Sequence, residues 1–281
     1  MKIRNLLSNP RQIVLPRHTT WLAQNSDAPL IPNDGRNGIG AKILEQMIAQ
    51  PRDRTGSFSA SSAGGCHRAQ VFGYHGAEAQ AITPGLRAIF EDGKWRHLRW
   101  QSQLLQSGIL SDIEHPLMWS RKQQRGTMDG VGIVPDDHPI EEWRGQEFGF
   151  ELKGVNAFQY PGLTSPGPKE GPKVDHLNQV ARYFLLSGLE LFSIVYENKS
   201  TQQSHEWVIS RDDPGMAERI EDQRQEVEDL LSHATEGTLP DQLPLCAKGK
   251  GEWEKCSYGD AGGVCGFAST VTDITLHRER P

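Results

Sequence analysis

EFGFELKG, residues 147–154, alternates residue by residue. Phe148, Phe150 and Leu152 fall on one face of an extended chain, and Glu147, Gly149, Glu151 and Lys153 on the other, the period of two that a half-buried β-strand shows. The apolar face implies a sheet covered on that side. The polar face sets a carboxylate and an ammonium group side by side. Upstream, ILSDIEHPLMW (109–119) and GTMDGVGIV (126–134) read as two further strands, and in the second Thr127, Asp129 and Val131 share a face. PDDHPIEEWRGQ (135–146) reads as a hairpin connection. If the strands it joins are paired, Asp129 stands beside Glu151.

Outward from this core, PGLRAIFEDGKWRHLRWQSQLLQSG (84–108) reads as a helix that opens on proline and stops at glycine. Leu86, Phe90, Leu104 and Leu105 follow its period, and His97, seven residues from both Phe90 and Leu104, is expected on the same buried side. Residues 155–173, including YPGLTSPGPKEGPK, read as an irregular loop. VDHLNQVARYFLLSG (174–188) follows as a helix that carries Gln179 and Tyr183 on one surface. LELFSIVYENK (189–199) and HEWVIS (205–210) read as strands. Met216, Ile220, Val227 and Leu231 mark an amphipathic helix from Pro214 to about His233. Strands interleaved with helices imply an α/β fold with a mixed sheet flanked by helices. The division expected is an N-terminal extension over 1–60 with one short helix near GIGAKILEQMIA, a core over 61–245, and a cysteine-rich tail over 246–281. RTGSFSASSAGGC (54–66) reads as a loop, and the tail to Phe267 holds too much Gly and Lys for a regular element.

A chain of 281 residues with 36% hydrophobic residues can bury a sizeable core. No apolar run is long enough to cross a membrane, and the first residues lack the apolar core of a secretory signal, so the expectation is a cytoplasmic protein, or one of the host cytoplasm if phage-encoded. The net charge of −6 gives no global case for nucleic acid. A phosphate-binding surface must therefore be local. Arg121, Lys122 and Arg125 before Asp129, and Lys169 and Lys173 before the Gln179 helix, are the candidates, with Arg96 and Arg99 flanking His97.

Asp129 and Glu151 on adjacent strands can supply hard oxygen ligands on a rigid frame, which hydrolysis by a metal-activated water requires. Lys153 can position that water or offset charge building on a phosphate. Read structurally instead, Glu151 and Lys153 are a solvated pair and Asp129 is a turn residue before Gly130.

FEDGKWRH, GTMDGV, FELKG and QVARY occur in the order and spacing that resemble the RecB-like branch of the PD-(D/E)XK nucleases. The resemblance runs from about Cys66 to Cys265. It implies a restriction-endonuclease-like fold, Mg2+ or Mn2+ as the working ion, and a metal site of His97, Asp129, Glu151 and the backbone carbonyl of Leu152. By the same resemblance Lys153 assists the water, and Gln179 and Tyr183 support the site and contact the substrate. The cysteines, Cys66, Cys246, Cys256 and Cys265, also resemble those of the iron-sulfur subgroup, which includes CRISPR-associated and AddB-type nuclease domains. Their C-x9-C and C-x8-C spacing departs from that subgroup's compact pattern. Four thiolates can hold a [4Fe-4S] cluster or tetrahedral Zn2+, and ordinary buried thiols are the other reading.

The function expected is a DNA exonuclease acting in recombination, repair or phage replication, with DNA and a recombination or replication protein as partners and no membrane. A structure-specific or flap endonuclease shares the same chemistry. A non-catalytic DNA-binding or assembly subunit is the reading of a different class, and it predicts a missing catalytic residue. A metal-dependent phosphatase leaves Gln179 and Tyr183 without a place.

Overall fold

A computed structural model describes residues 9–49, 55–164, 171–247, 256–259, 264–266 and 268–278. The alternating stretch forms a strand, β4 (Glu147–Val155), with β3 (Gln124–Ile133) antiparallel on one side of it and β5 (Leu191–Asn198) parallel on the other. β2 (Leu110–Trp119) runs antiparallel to β3, β6 (Ser204–Ser210) runs antiparallel to β5, and the two-residue β1 (Phe58–Ser59) pairs parallel with the start of β3. The result is the mixed six-stranded sheet in the order β1-β3-β4-β5-β6, with β2 on β3.

Helices cover both faces, although the alternation of β4 alone implied cover on its apolar side. Phe148, Phe150 and Leu152 of β4, with Val195 and Val208, pack against Leu98, Trp100 and Leu104 of α4 (Pro84–Gln106) and against Ile13, Val14 and Ile43 from the N-terminal region. On the opposite face Met128, Val131, Ile194 and Tyr196 meet Val180, Ala181, Tyr183 and Phe184 of α6 (Val174–Ser187) and Met216 and Ile220 of α7 (Met216–Glu236). Gly188 and Gly237 end α6 and α7 with φ of 72° and 71°, a left-handed cap that costs glycine little.

The N-terminal region holds two helices, α1 (Leu15–Gln24) and α2 (Ile39–Ile48), where one was expected. The N-terminus of α1 is bound by a core residue: the buried Glu206 carboxylate accepts from the N–H groups of Ile13, Val14 and Leu15 at 2.8–3.1 Å. The segment expected as a loop before Cys66 contains β1, and Cys66 opens α3 (His67–Tyr74), an element that the sequence pattern did not show. The expected loop after β4 holds the short α5 (Tyr160–Thr164), and residues 165–170 lie outside the described residues. In the tail α8 (Pro244–Ala247) is a single turn and α9 (Val271–Arg278) follows beyond Phe267.

α4 departs from the expected buried stripe. Leu86 and Phe90 are 42% and 56% exposed, whereas Leu98 and Leu104 are buried. Its first turns run past the body of the protein, with residues 78–92 exposed throughout, so helical periodicity there has no partner surface to meet. Among the described residues no helix is long and apolar enough to cross a membrane.

Candidate active site

The ladder between β3 and β4 ends at Gly130 opposite Phe150. Asp129 and Glu151 are the next residues on each strand, so they lie where the strands part. Asp129 is therefore inside a strand and not in a turn, and Gly130 is small for a tertiary reason: a Cβ there would stand 2.5 Å from Leu110 Cδ1. The Asp129 carboxylate replaces the missing ladder bond, its Oδ2 accepting from the Leu152 N–H at 2.7 Å. Its Oδ1 lies 3.0 Å from His97 Nδ1, so α4 reaches the gap from one side. Gln101, one turn beyond His97, donates to the Asp129 carbonyl at 3.0 Å and to Glu114 Oε1 at 2.8 Å. Gln101 was missed in the sequence, where its place four residues after His97 was the available signal.

α6 closes the other side. Lys153 Nζ donates to Glu151 Oε1 at 2.7 Å and to Gln179 Oε1 at 2.8 Å. The Gln179 amide donates to Glu151 Oε1 at 3.0 Å and to Tyr183 Oη at 2.7 Å, and Tyr183 Oη donates to the Thr127 carbonyl at 2.7 Å. The six side chains singled out in the sequence thus gather at the gap in two hydrogen-bonded groups, His97 with Asp129 and Glu151 with Lys153, Gln179 and Tyr183. The second group leaves Glu151 Oε2 buried without a hydrogen-bond partner.

The electrostatics follow from two buried carboxylates sharing a gap. Burial first, then the Asp129 charge, pushes the Glu151 carboxyl up to about 7, against the pull of Lys153 and His97. Asp129 stays low: burial opposes ionisation, and the facing His97 and the Leu152 N–H outweigh it. Burial also works against a charged His97, yet Asp129 raises the imidazole to about 9. Lys153 is likewise raised, Glu151 overcoming the effect of burial. Protons on His97 and Glu151 thus relieve the repulsion between the carboxylates.

A divalent cation would relieve it too. The orphaned Glu151 Oε2 and the adjacent Asp129 carboxylate are hard oxygen donors suited to Mg2+ or Mn2+. His97 faces Asp129, and among the described residues no group of three or more His, Cys, Asp or Glu side chains is arranged to hold a metal ion.

The basic candidates fare differently. Arg96 and Arg99 both bind the buried Glu197 carboxylate, at 2.6 and 2.5 Å, so they brace α4 against β5. Lys122 pairs with Glu228 at 3.1 Å, Arg121 is exposed, and Arg125 is half-buried at the register position opposite Ser59. Lys173 donates to Gln159 at 3.1 Å, and Lys169 lies outside the described residues.

Cys66, Cys246, Cys256 and Cys265 line one cavity with Arg68, Phe72 and Gln242, and none is in a disulfide. The Gln242 amide donates to the Cys265 carbonyl at 2.8 Å and reaches Cys265 Sγ at 3.5 Å, and the buried Arg68 leaves its Nε unpaired. As placed, no three of these sulfurs stand close enough together to hold a metal ion.

No family model matches this chain, and no curated protein matches it. Among solved structures it is similar to SSO0001, with a TM-score of 0.42 and 15% identity, covering 78% of this chain and 91% of that one. It is also similar to LHK-Exo in complex with dAMP, with a TM-score of 0.39 and 17% identity over 65% of this chain and 90% of that one. A further structure of LHK-Exo, an alkaline exonuclease from Laribacter hongkongensis, gives a TM-score of 0.32 and 14% identity over 65% and 93% of the two chains.

Proposed function

We propose that this protein is a metal-dependent deoxyribonuclease, an exonuclease of the RecB-like PD-(D/E)XK type. The observation that carries the proposal is the pair Asp129 and Glu151 at the parting of β3 and β4, with Lys153 held between Glu151 and Gln179. The resemblance of GTMDGV, FELKG and QVARY to that family's motifs supports it.

Asp129, Glu151, His97 and the Leu152 carbonyl would hold Mg2+ or Mn2+. In an extended strand that carbonyl points to the same edge as its own N–H, which faces Asp129. The ion, when bound, neutralises phosphate charge and lowers the pKa of a water. Lys153 stays protonated beside Glu151, so it orients the attacking water and offsets charge developing on the phosphate. Gln179 fixes the Lys153 ammonium, and Tyr183, tied to the Thr127 carbonyl, fixes Gln179. The burial of Asp129, Glu151 and Gln179 keeps bulk water from screening these contacts.

The four cysteines would hold a [4Fe-4S] cluster that fastens the C-terminal tail to α3. Four protein thiolates leave no open coordination position, so its role is structural. Visible absorption and iron content of anaerobically purified protein identify it. Zinc in place of iron corrects the metal, and absence of both removes the centre.

The activity is tested with end-labelled linear single-stranded and duplex DNA and a closed circle, in Mn2+, Mg2+ or EDTA, beside Lys153→Ala. Metal-dependent loss of linear DNA with the circle spared is expected. Cutting of the circle identifies an endonuclease, and no cleavage under any condition overturns the proposal.

A further inference from the structure

His176 sits three residues before Gln179 on α6 and has had no part in the network so far. Its Nδ1 lies 2.6 Å from Tyr196 Oη, and the two rings stack with centroids 5.5 Å apart. Tyr196 is fully buried and stands opposite Lys153 in the β4–β5 register, on the sheet face that α6 covers. Its Oη also accepts the backbone N–H of Lys173 at 3.2 Å. A buried phenol proton needs an acceptor, since burying it unpaired forfeits its hydrogen bond to water without replacement. His176 Nδ1 is the acceptor within reach, which puts the imidazole proton on Nε2. Burial, with Lys153 and Lys173 adding to it, pulls the imidazole down to about 3, so the ring is neutral at working pH. Nε2 makes no hydrogen bond to any described residue, and the ring is only half-buried. The result is an oriented neutral donor, one helical turn from Gln179 and close enough to feel the Lys153 charge.

We propose that His176 is a substrate-binding residue, its Nε2–H donating to a non-bridging phosphate oxygen of the nucleotide held beside Lys153, in the tautomer that Tyr196 imposes. The assignment rests on the nuclease reading. A neutral donor suits this place because Lys153 and Lys173 already supply positive charge, and a third cation there would repel both. Tyr196 acts as a positioning residue, holding the ring and choosing its proton.

The two amide substitutions of His176 separate this role from a structural one. A glutamine amide reaches the position of Nε2, and an asparagine amide that of Nδ1. H176Q therefore keeps the outward donor, and H176N keeps only the partner of Tyr196. The measurement is affinity for a 5′-phosphorylated oligonucleotide in EDTA by fluorescence anisotropy, with a thermal melt of each variant and metal-dependent cleavage followed in parallel. Expected is a loss of roughly tenfold or more in H176N, with most affinity retained in H176Q. Y196F, which frees the tautomer without touching the nucleotide, should fall between them. Equal affinity of H176N and the wild type overturns the contact, as does an equal loss in H176N and H176Q. Wild-type binding with the expected variant pattern but no cleavage leaves the contact standing and sinks the nuclease reading. A wild type that neither binds nor cuts sinks both.

Discussion

The gap between β3 and β4 and the cavity of the four cysteines are built by opposite means. At the gap, regular elements do the positioning: two strands and two long helices present their side chains there, and residues 97, 129, 151, 153, 179 and 183 meet as a consequence. At the cavity, a single-turn helix, a loop, a 3-10 turn and the start of α3 bring the sulfurs together, and the fastening is done by long-range side chains. Arg68 donates to the carbonyls of Pro240 and Ala268. Glu226 of α7 accepts from the Gly64 N–H at 2.9 Å and lies 3.3 Å from the fully buried Arg182 of α6, tying the chain just before Cys66 to the helix that carries Gln179. The gap therefore owes its geometry to the sheet, and the cavity owes its geometry to tethers.

Substitutions that spare the fold but disable the gap should have the largest effect on cleavage. Asp129→Asn should lower the single-turnover rate about a thousandfold with an unchanged circular dichroism spectrum. Loss of structure in that variant would mean that the gap is as dependent on tethers as the cavity. Glu226→Ala should do the reverse, costing about 3–5 kcal/mol in urea unfolding because Arg182 is left buried without its carboxylate. A smaller loss, of roughly 3 kcal/mol, is expected for Cys256→Ser if the proposed metal centre is present, together with loss of that metal. Unchanged stability there would remove the tail-fastening role.

Proton competition sharpens the contrast at the gap. With His97 raised to about 9 and Glu151 to about 7, a cation entering the proposed site would have to displace a proton from His97 below pH 9 and a second from Glu151 below pH 7. Mn2+ affinity should therefore rise with pH, about tenfold per unit from 7 to 9 and more steeply below 7, as calorimetric titration would show. A flat profile would mean that His97 is not displaced. The smallest effect belongs to the surface: Lys122→Ala should change stability by no more than about 0.5 kcal/mol, since its pair with Glu228 is solvent-accessible. If Lys122 contacts a phosphate, the salt dependence of DNA binding should lessen by about one counterion.

The legible part of the molecule is the part whose periodicity met a partner. The alternation at 147–154 and the helix from Val174 formed as read, whereas β3 buries Met128 and Val131 on the same face and so does not keep a strict period of two through Asp129. In α4 the same reasoning worked around Leu98 and Leu104 and failed at Leu86 and Phe90, because periodicity reports which face could be buried and not whether anything lies there. Arg96 and Arg99 read as phosphate contacts until Glu197, about a hundred residues away in sequence, took both.

By itself the sequence determined the strand and helix periods, the order of the elements, and hence which side chains share a face at the gap, since these depend on neighbours within a few residues. Only the tertiary structure decided that β3 and β4 part at Asp129 and that Tyr196 sets the His176 proton. It also decided which arginines are spent inside and that Cys66 meets Cys246, Cys256 and Cys265 in one cavity. Those outcomes depend on contacts between segments far apart in the chain, which local pattern does not encode.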